Sequence, residues 1–212
     1  MFDLLFTKSM KKIEIHHIRP LVNYYTDKLD DAWEKLLTIV EIKRVAKGHA
    51  FIEQGDIAKV CGLVLSGSFK NVAYDDPSDE RILRFTFQYG FLASCQSFNE
   101  QQPSSFAVVA MEDSEILSID NKELVELCLA HPSVITLGLL FSQQIMIDHE
   151  HHSKVLSLST PLQRYEFLIH EKPYLLNRVS MTDLAKHLYT SREALSRARL
   201  KIRSIERIQK TT

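Results

Sequence analysis

Hydrophobic positions change their spacing twice along the 212 residues. Up to about residue 40 they recur as in short helices. Pro20 suits a first helical turn, where its missing N–H would be unpaired anyway. Asp30 or Asp31 is a candidate cap for a helix carrying Trp33, Leu36 and Leu37. From Glu41 to Ile119 short β-branched and aromatic runs take over: Ile42–Val45, Ala50–Glu53, Val60–Leu65, Phe69–Tyr74, Ile82–Phe87, Phe106–Ala110 and Glu115–Ile119. Turn residues separate them at Lys47-Gly48, Gln54-Gly55-Asp56, Ser66-Gly67 and Asp75-Asp76-Pro77-Ser78. Short strands at this spacing predict an antiparallel barrel or sandwich of the jelly-roll type.

After Asp120, a predicted cap, the period becomes helical again. One helix carries Leu124, Leu127 and Cys128 and ends near His131-Pro132. A longer one runs from Ser133 to about Leu158, with Val134, Leu137, Phe141, Gln144, Asp148, His151 and Val155 recurring at three and four residues. Its stripe needs covering by the chain's own barrel or by a second copy. The expectation is a homodimer seam made by Leu137, Phe141, Gln144, Asp148 and His151. Thr160-Pro161 opens a helix through Tyr165, Leu168 and Ile169; a connection at Lys172–Arg178 leads to helices Met181–Leu188 and Ser191–Ile202. The fold class expected is α+β: a barrel domain at 1–132, a dimerisation helix and linker at 133–158, and a helical domain at 159–212.

Composition adds mainly exclusions. No apolar run approaches the roughly 18 residues a membrane span needs, and Met1–Phe6 is too short for a signal peptide. Three scattered cysteines, Cys61, Cys95 and Cys128, give neither a disulfide framework nor a CxxC motif, which suits a cytoplasmic protein. Charge is divided unevenly. Residues 1–159 hold 15 Lys+Arg against 22 Asp+Glu, a net of −7, whereas residues 160–212 hold 11 against 5, a net of +6. A basic C-terminal quarter on an acidic body predicts an anionic partner for that quarter.

The segment Val179–Ile202 reads VSMTDLAKHLYTSREALSRARLKI. Ser180 and Asp183 have capping-box spacing, Leu184 and Leu188 share a face, and Ala185 is small where two helices would cross. Tyr189-Thr190 makes a tight turn and Ser191 can cap the next helix. Leu195 and Ile202 face inward, leaving Arg192, Glu193, Ser196, Arg197 and Arg199 outward. This is the pattern of a helix-turn-helix whose second helix enters the major groove of duplex DNA. Arg can pair bidentately with guanine and Glu can accept from cytosine. The expected DNA contacts are Ser191, Arg192, Glu193, Ser196, Arg197, Arg199 and Lys201.

The chain resembles regulators of the Crp/Fnr superfamily. Lys47–Asp56 followed by Leu63–Ser68 resembles the cyclic-nucleotide-binding signature, the helix at 133–157 sits where that family dimerises, and Ser191–Arg197 resembles its recognition helix. The resemblance implies that Arg192, Glu193 and Arg197 read a TGTGA-like half-site, and that RNA polymerase is a partner. It also exposes a departure. Cyclic-nucleotide members hold the ligand with a Gly-Glu pair and an Arg-Ser/Thr about ten residues later; here the stretches are Phe91-Leu92-Ala93-Ser94 and Gln102-Pro103-Ser104-Ser105. The Glu and the Arg are both missing, and a buried phosphodiester without a cation is unfavourable. Cyclic AMP is therefore not the expected ligand. The candidate pocket is Ser94, Ser104 and Ser105, with Arg81 or Arg84 as substitute cations if they point inward; the effector stays open.

Other chemistries find less support. No cysteine precedes Cys61, which speaks against the family's iron–sulfur cluster. His16, His17 and His49 are lone histidines, more often structural than haem ligands. Asp148-His149-Glu150-His151-His152 has spacing that would suit Zn²⁺ or Ni²⁺, but a polar or pH-sensitive stretch of a helix seam is the plainer reading, and no metal site is assigned. A metal-dependent cupin enzyme would need several barrel histidines, and 41–119 holds only His49. The function expected is a non-enzymatic transcription regulator; the alternative is a ligand-binding module whose basic tail contacts protein or RNA.

Overall fold

The alternating segment folds into eight strands: β1 (Val40–Val45), β2 (Ala50–Ile52), β3 (Val60–Ser66), β4 (Ser68–Tyr74), β5 (Glu80–Phe87), β6 (Phe91–Leu92), β7 (Ala107–Ala110) and β8 (Ser114–Asp120). The computed structural model describes residues 26–75 and 80–209. The strands make two four-stranded sheets, ordered β1-β8-β3-β6 and β2-β7-β4-β5, with the crossovers of a jelly roll. Within the first sheet Leu117 pairs with Ile42 on one side and Leu63 on the other, both antiparallel.

Period-two alternation divides that sheet's apolar residues between two cores. Val64, Ile116 and Leu92 point inward and meet Ile52, Phe69 and Val108 of the other sheet, so the barrel interior is filled with side chains. Cys61, Leu63, Leu117 and Ile119 point the other way. Helices cover them: Trp33 and Leu36 of α1 (Thr26–Leu36), Phe98 of α2 (Cys95–Glu100), and Val134, Leu137 and Ile145 of a long helix, α4 (Pro132–Ser157). Burial pushes the Cys61 thiol up to about 12, leaving it an inert core group. Between the two lies α3 (Asn121–Ala130), whose first amides, Lys122 N and Glu123 N, bond to the Asp120 carboxylate. Gly67, between β3 and β4, has φ +92°, and a Cβ there would lie 2.9 Å from the Ser114 Cα; only glycine fits.

The described chain gathers into two compact units. One holds the residues through Asn71 with Phe85–Met146, and the other holds Val72–Arg84 with the residues from Ile147 on. No helix among the described residues is long and apolar enough to cross a membrane.

Several expectations need correction. Helix α1 begins at Thr26, so Asp31 lies inside it and pairs with Lys35 instead of capping it. Strand β6 and helix α2 have too few residues to show a period, and were not foreseen. The expected seam of α4 is turned to the chain's own interior. Leu137 is buried, Phe141 stacks on Phe91 with ring centroids 4.7 Å apart, and Gln144 and His151 are half-buried. Asp148 is held in an ion pair described below. A stripe shows that a helix face is covered but not by what, and here the chain covers it. The exposed apolar residues of α4 are Ile135, Leu139, Met146 and Ile147 instead. Met1–Phe6, His16, His17, Pro20 and Asp76-Pro77-Ser78 of the fourth turn lie outside the described residues.

Candidate nucleic-acid interface

The basic C-terminal segment folds as α5 (Pro161–Glu171), the short turn α6 (Leu175–Arg178), α7 (Met181–His187) and α8 (Arg192–Gln209). Its starts are fixed by side chains chosen for that task. Thr160 and Gln163 form a reciprocal capping box with Pro161 in the first turn. Ser180 accepts from Asp183 N, and its hydroxyl donates to the Asp183 carboxylate at 2.8 Å. Ser191 accepts from Ala194 N at 3.1 Å. Tyr165, Leu168, Leu175, Leu184, Leu188 and Leu195 are buried, and Ala185 and Ala198 are the small buried residues of α7 and α8. Helix α8 extends well past the expected Ile202, since nothing from Arg192 to Gln209 breaks it.

On α8, Arg192, Glu193, Ser196, Arg197 and Lys201 are exposed, as is the capping Ser191, while Arg199 is half-buried. Of the expected contact residues, all but Arg199 are thus on the exposed side, with Leu195 and Ala198 on the inward side. None of the side chains of Arg192, Glu193, Arg197 and Lys201 is taken up by a hydrogen bond or ion pair to another described residue, which leaves Arg and Glu on two successive turns free for an external partner.

The turn before α8 enters left-handed backbone at Tyr189, with φ +49°. Its ring has two partners in the same unit. The His152 ring meets it edge-on with centroids 5.7 Å apart, and the Arg81 guanidinium lies 5.5 Å over it. His152 also stacks on His187, with centroids 4.3 Å apart and planes 6° from parallel. Both rings are buried. Carbonyls only accept, so the contacts fix the tautomers: His152 Nε2–H donates to the His187 carbonyl at 2.8 Å, and His187 Nδ1–H donates to the Ile82 carbonyl at 3.0 Å. Burial, aided by the neighbouring His152, pushes the His187 pKa down to about 3; burial also lowers that of His152, against its bond to the His187 carbonyl. Beside them Asp148 accepts from Arg84 Nε at 2.9 Å and from Lys172 Nζ at 2.8 Å. Burial pushes the Asp148 carboxyl up, but the two cations outweigh it and hold it below the ordinary value. Lys186 pairs with Glu80.

These contacts dissolve two candidate sites. The cations of the candidate pocket have other partners: Arg84 serves Asp148, and Arg81 serves Asp75 at 3.1 Å and the Tyr189 ring. Ser94 and Ser104 are buried and bonded to each other at 2.9 Å, Ser104 also donates to the Phe106 carbonyl at 2.6 Å, and Ser105 is exposed. In the Asp148–His152 run, Asp148 faces cations and His152 faces a ring, and among the described residues no group of three His, Cys, Asp or Glu is placed to hold a metal. The cavity beside His151, His152 and His187 measures only about 10 Å³. His187, Tyr189, Arg84 and Lys172 were invisible as a group in the sequence. The His187 partners lie 35 and 105 positions away, so no local spacing marks them.

A neutral, buried His187 and His152 make this unit acid-sensitive. Both are depressed below the ordinary 6.5 of a free histidine. The unfolded chain therefore takes up protons first as pH falls, and the stability present above about 6.5 is lost progressively toward pH 3. Thermal unfolding followed between pH 7.5 and 5 should show a falling midpoint. In His187→Asn, which keeps a donor for Ile82, the fall should be shallower; an unchanged slope would discount the histidine pair.

Residues 42–131 match the family model of the cyclic nucleotide-binding domain. No curated protein matches the chain by sequence. Solved structures with the same fold include the c-di-GMP responsive global regulator CLP of Xanthomonas campestris, with TM-score 0.67 and 19% identity, covering 83% of this chain and 92% of that one. FixK2 of Bradyrhizobium japonicum has TM-score 0.66 at 13% identity, covering 79% and 86%. A CooA variant of Carboxydothermus hydrogenoformans has TM-score 0.64 at 15% identity, covering 80% and 78%. Residues 42–131 are thus similar to the cyclic nucleotide-binding domain, and the chain shares the fold of solved Crp/Fnr regulators.

Proposed function

We propose that this protein is a homodimeric, sequence-specific DNA-binding transcription regulator of the cytoplasm and not an enzyme, with RNA polymerase as a partner by analogy with the fold family. The observation that carries the reading is the outward row Arg192, Glu193, Ser196 and Arg197, on the first turns of a helix launched by a capped turn in the basic quarter of the chain. Helices α7 and α8 act as the helix-turn-helix, and only the first turns of α8 reach base edges. Arg199, Lys201 and Arg203 meet phosphates. Labour divides as sensor at 1–132, dimer helix at 133–158 and DNA reader at 159–212.

The second copy packs on the outer face of α4. Ile135, Leu139 and Met146 lie along it at helical spacing and are exposed. Two-fold pairing there gives the two recognition helices their fixed separation.

The barrel's effector is not cyclic AMP. Two of the cassette hydroxyls, Ser94 and Ser104, bond to each other, and Ser97 between the stretches accepts from Ala58 N at 2.8 Å and donates to the Gln102 carbonyl. With the barrel interior filled by Phe69, Leu92 and Ile116, a phosphodiester would be buried without a cation. That CLP is c-di-GMP responsive does not carry a ligand over to this chain.

Arg192→Ala or Arg197→Ala should cost roughly 1–3 kcal/mol on a duplex selected by the wild-type protein and relax preference at one position. Lys201→Ala should weaken selected and scrambled duplex alike and lower the salt slope by about 1. Titrations at two salt concentrations check both; equal losses on the two duplexes for Arg197→Ala would make its role purely electrostatic. If only RNA is bound, the tail is an RNA contact and the DNA reading fails.

Replacing both Leu139 and Met146 with Glu should yield monomers by light scattering, with operator binding lost; a double variant that stays dimeric rules out this face.

Calorimetry with cyclic AMP should show no tight binding. Micromolar or better affinity would mean that the Ser94–Ser104 bond opens to admit a phosphate.

A further inference from the structure

Arg164 lies on α5 just past its capping box, and its half-buried guanidinium reaches two other segments. Nε donates to the Leu158 carbonyl at 2.9 Å, at the foot of α4. Nη1 donates to the Leu188 carbonyl at 2.8 Å and to the Tyr189 carbonyl at 3.1 Å, at the end of α7 and in the turn before α8. Helix ends leave carbonyls without intrahelical donors, and these carry partial negative charge. One planar fork therefore satisfies the end of the long helix and the turn that launches α8. A lysine could not do so, because its ammonium is a single point on a flexible stem.

We infer that Arg164 is the positioning residue that fixes the turn at Leu188-Tyr189, and with it α8, against the foot of α4. Its consequence for DNA rests on the proposed reading. A dimer that reads two half-sites must hold its recognition helices about 34 Å apart. Any swing of α8 about the foot of α4 spoils that spacing while leaving the groups that read each half-site intact. Arg164 thus acts through Tyr189 and touches no base itself.

The test uses the full chain with Arg164→Lys and Arg164→Ala and has two readouts. In the first, without DNA, nitroxides replace the exposed Ser153 of α4 and Ser204 of α8 in a background where Cys95 and Cys128 are serine. Cys61 is buried with a thiol raised to about 12 and escapes labelling. Pulsed electron resonance, with labelled chain diluted in unlabelled, should give a narrow distance distribution for the Arg164 chain and a broadened one for both variants. A distribution unchanged in both overturns the inference. In the second, affinities are measured for a two-half-site duplex selected by the wild-type protein and for a single half-site. Both variants should lose about tenfold or more on the full site and little on the half-site. Equal losses on the two, or full rescue by lysine, would reduce Arg164 to a charge and overturn the inference. Should the wild-type protein select no duplex, the DNA reading fails, and the distance measurement alone decides the positioning role.

Discussion

A left-handed residue with a side chain governs the second unit. At φ +49° Tyr189 sits where an L-residue is disfavoured by about 1–2 kcal/mol. Glycine would remove that cost and with it the ring. The ring's partners offset the strain: an aromatic pair contributes about 0.5–1.5 kcal/mol and a cation over a ring about 0.5–1 kcal/mol. Those partners, His152 and Arg81, come from α4 and β5. The turn that aims α8 is therefore set by long-range packing, and local turn chemistry alone would not hold it.

The same dependence explains the charges packed around the turn. His152 and His187 stack at van der Waals distance, an arrangement two imidazolium ions would not tolerate, and each spends one N–H on a carbonyl. Lys172 would repel a proton on either ring, and Asp148, paired with both Arg84 and Lys172, offsets one of these two cations. Such a buried triad is weak evidence for stability, since desolvation offsets much of the attraction. Its effect here is geometric. Arg84 is almost fully buried and loses Asp148 if β5 or α4 shifts.

Legibility followed length and locality. Seven strands, the Asp120 cap, the Thr160-Pro161 opening and the starts of α7 and α8 all rest on local patterns, and all appear in the structure near their expected positions. The two residues of β6 and the six of α2 are too few to show a period. Helix α1 begins upstream of its expected cap because Asp31 is tolerated inside a helix when Lys35 follows four residues on. At the candidate interface, capping and burial on α8 were readable from Ser191, Leu195 and the outward arginines. The fork of Arg164, the histidine stack and the commitment of Arg84 to Asp148 were not. Each includes a contact between residues 24 or more apart, for which a single sequence carries no signal.

Helix α4 shows why an apolar stripe misleads when read alone. Its inward face is apolar at Val134, Leu137 and Ile145, where it packs on Cys61, Leu63 and Leu117 of the barrel sheet. From Asp148 on, the same face turns polar, and there it meets Arg84, Lys172 and His187. The change falls at Met146–Ile147, where the chain passes from one compact unit into the other. The fading heptad thus follows a change of internal neighbour along the helix. Opposite this face lie Ile135, Leu139 and Met146, all exposed and all before the change of neighbour; beyond it the same outer side carries the exposed Glu150, Ser153 and Ser157, so the outer apolar face ends where the inner one does.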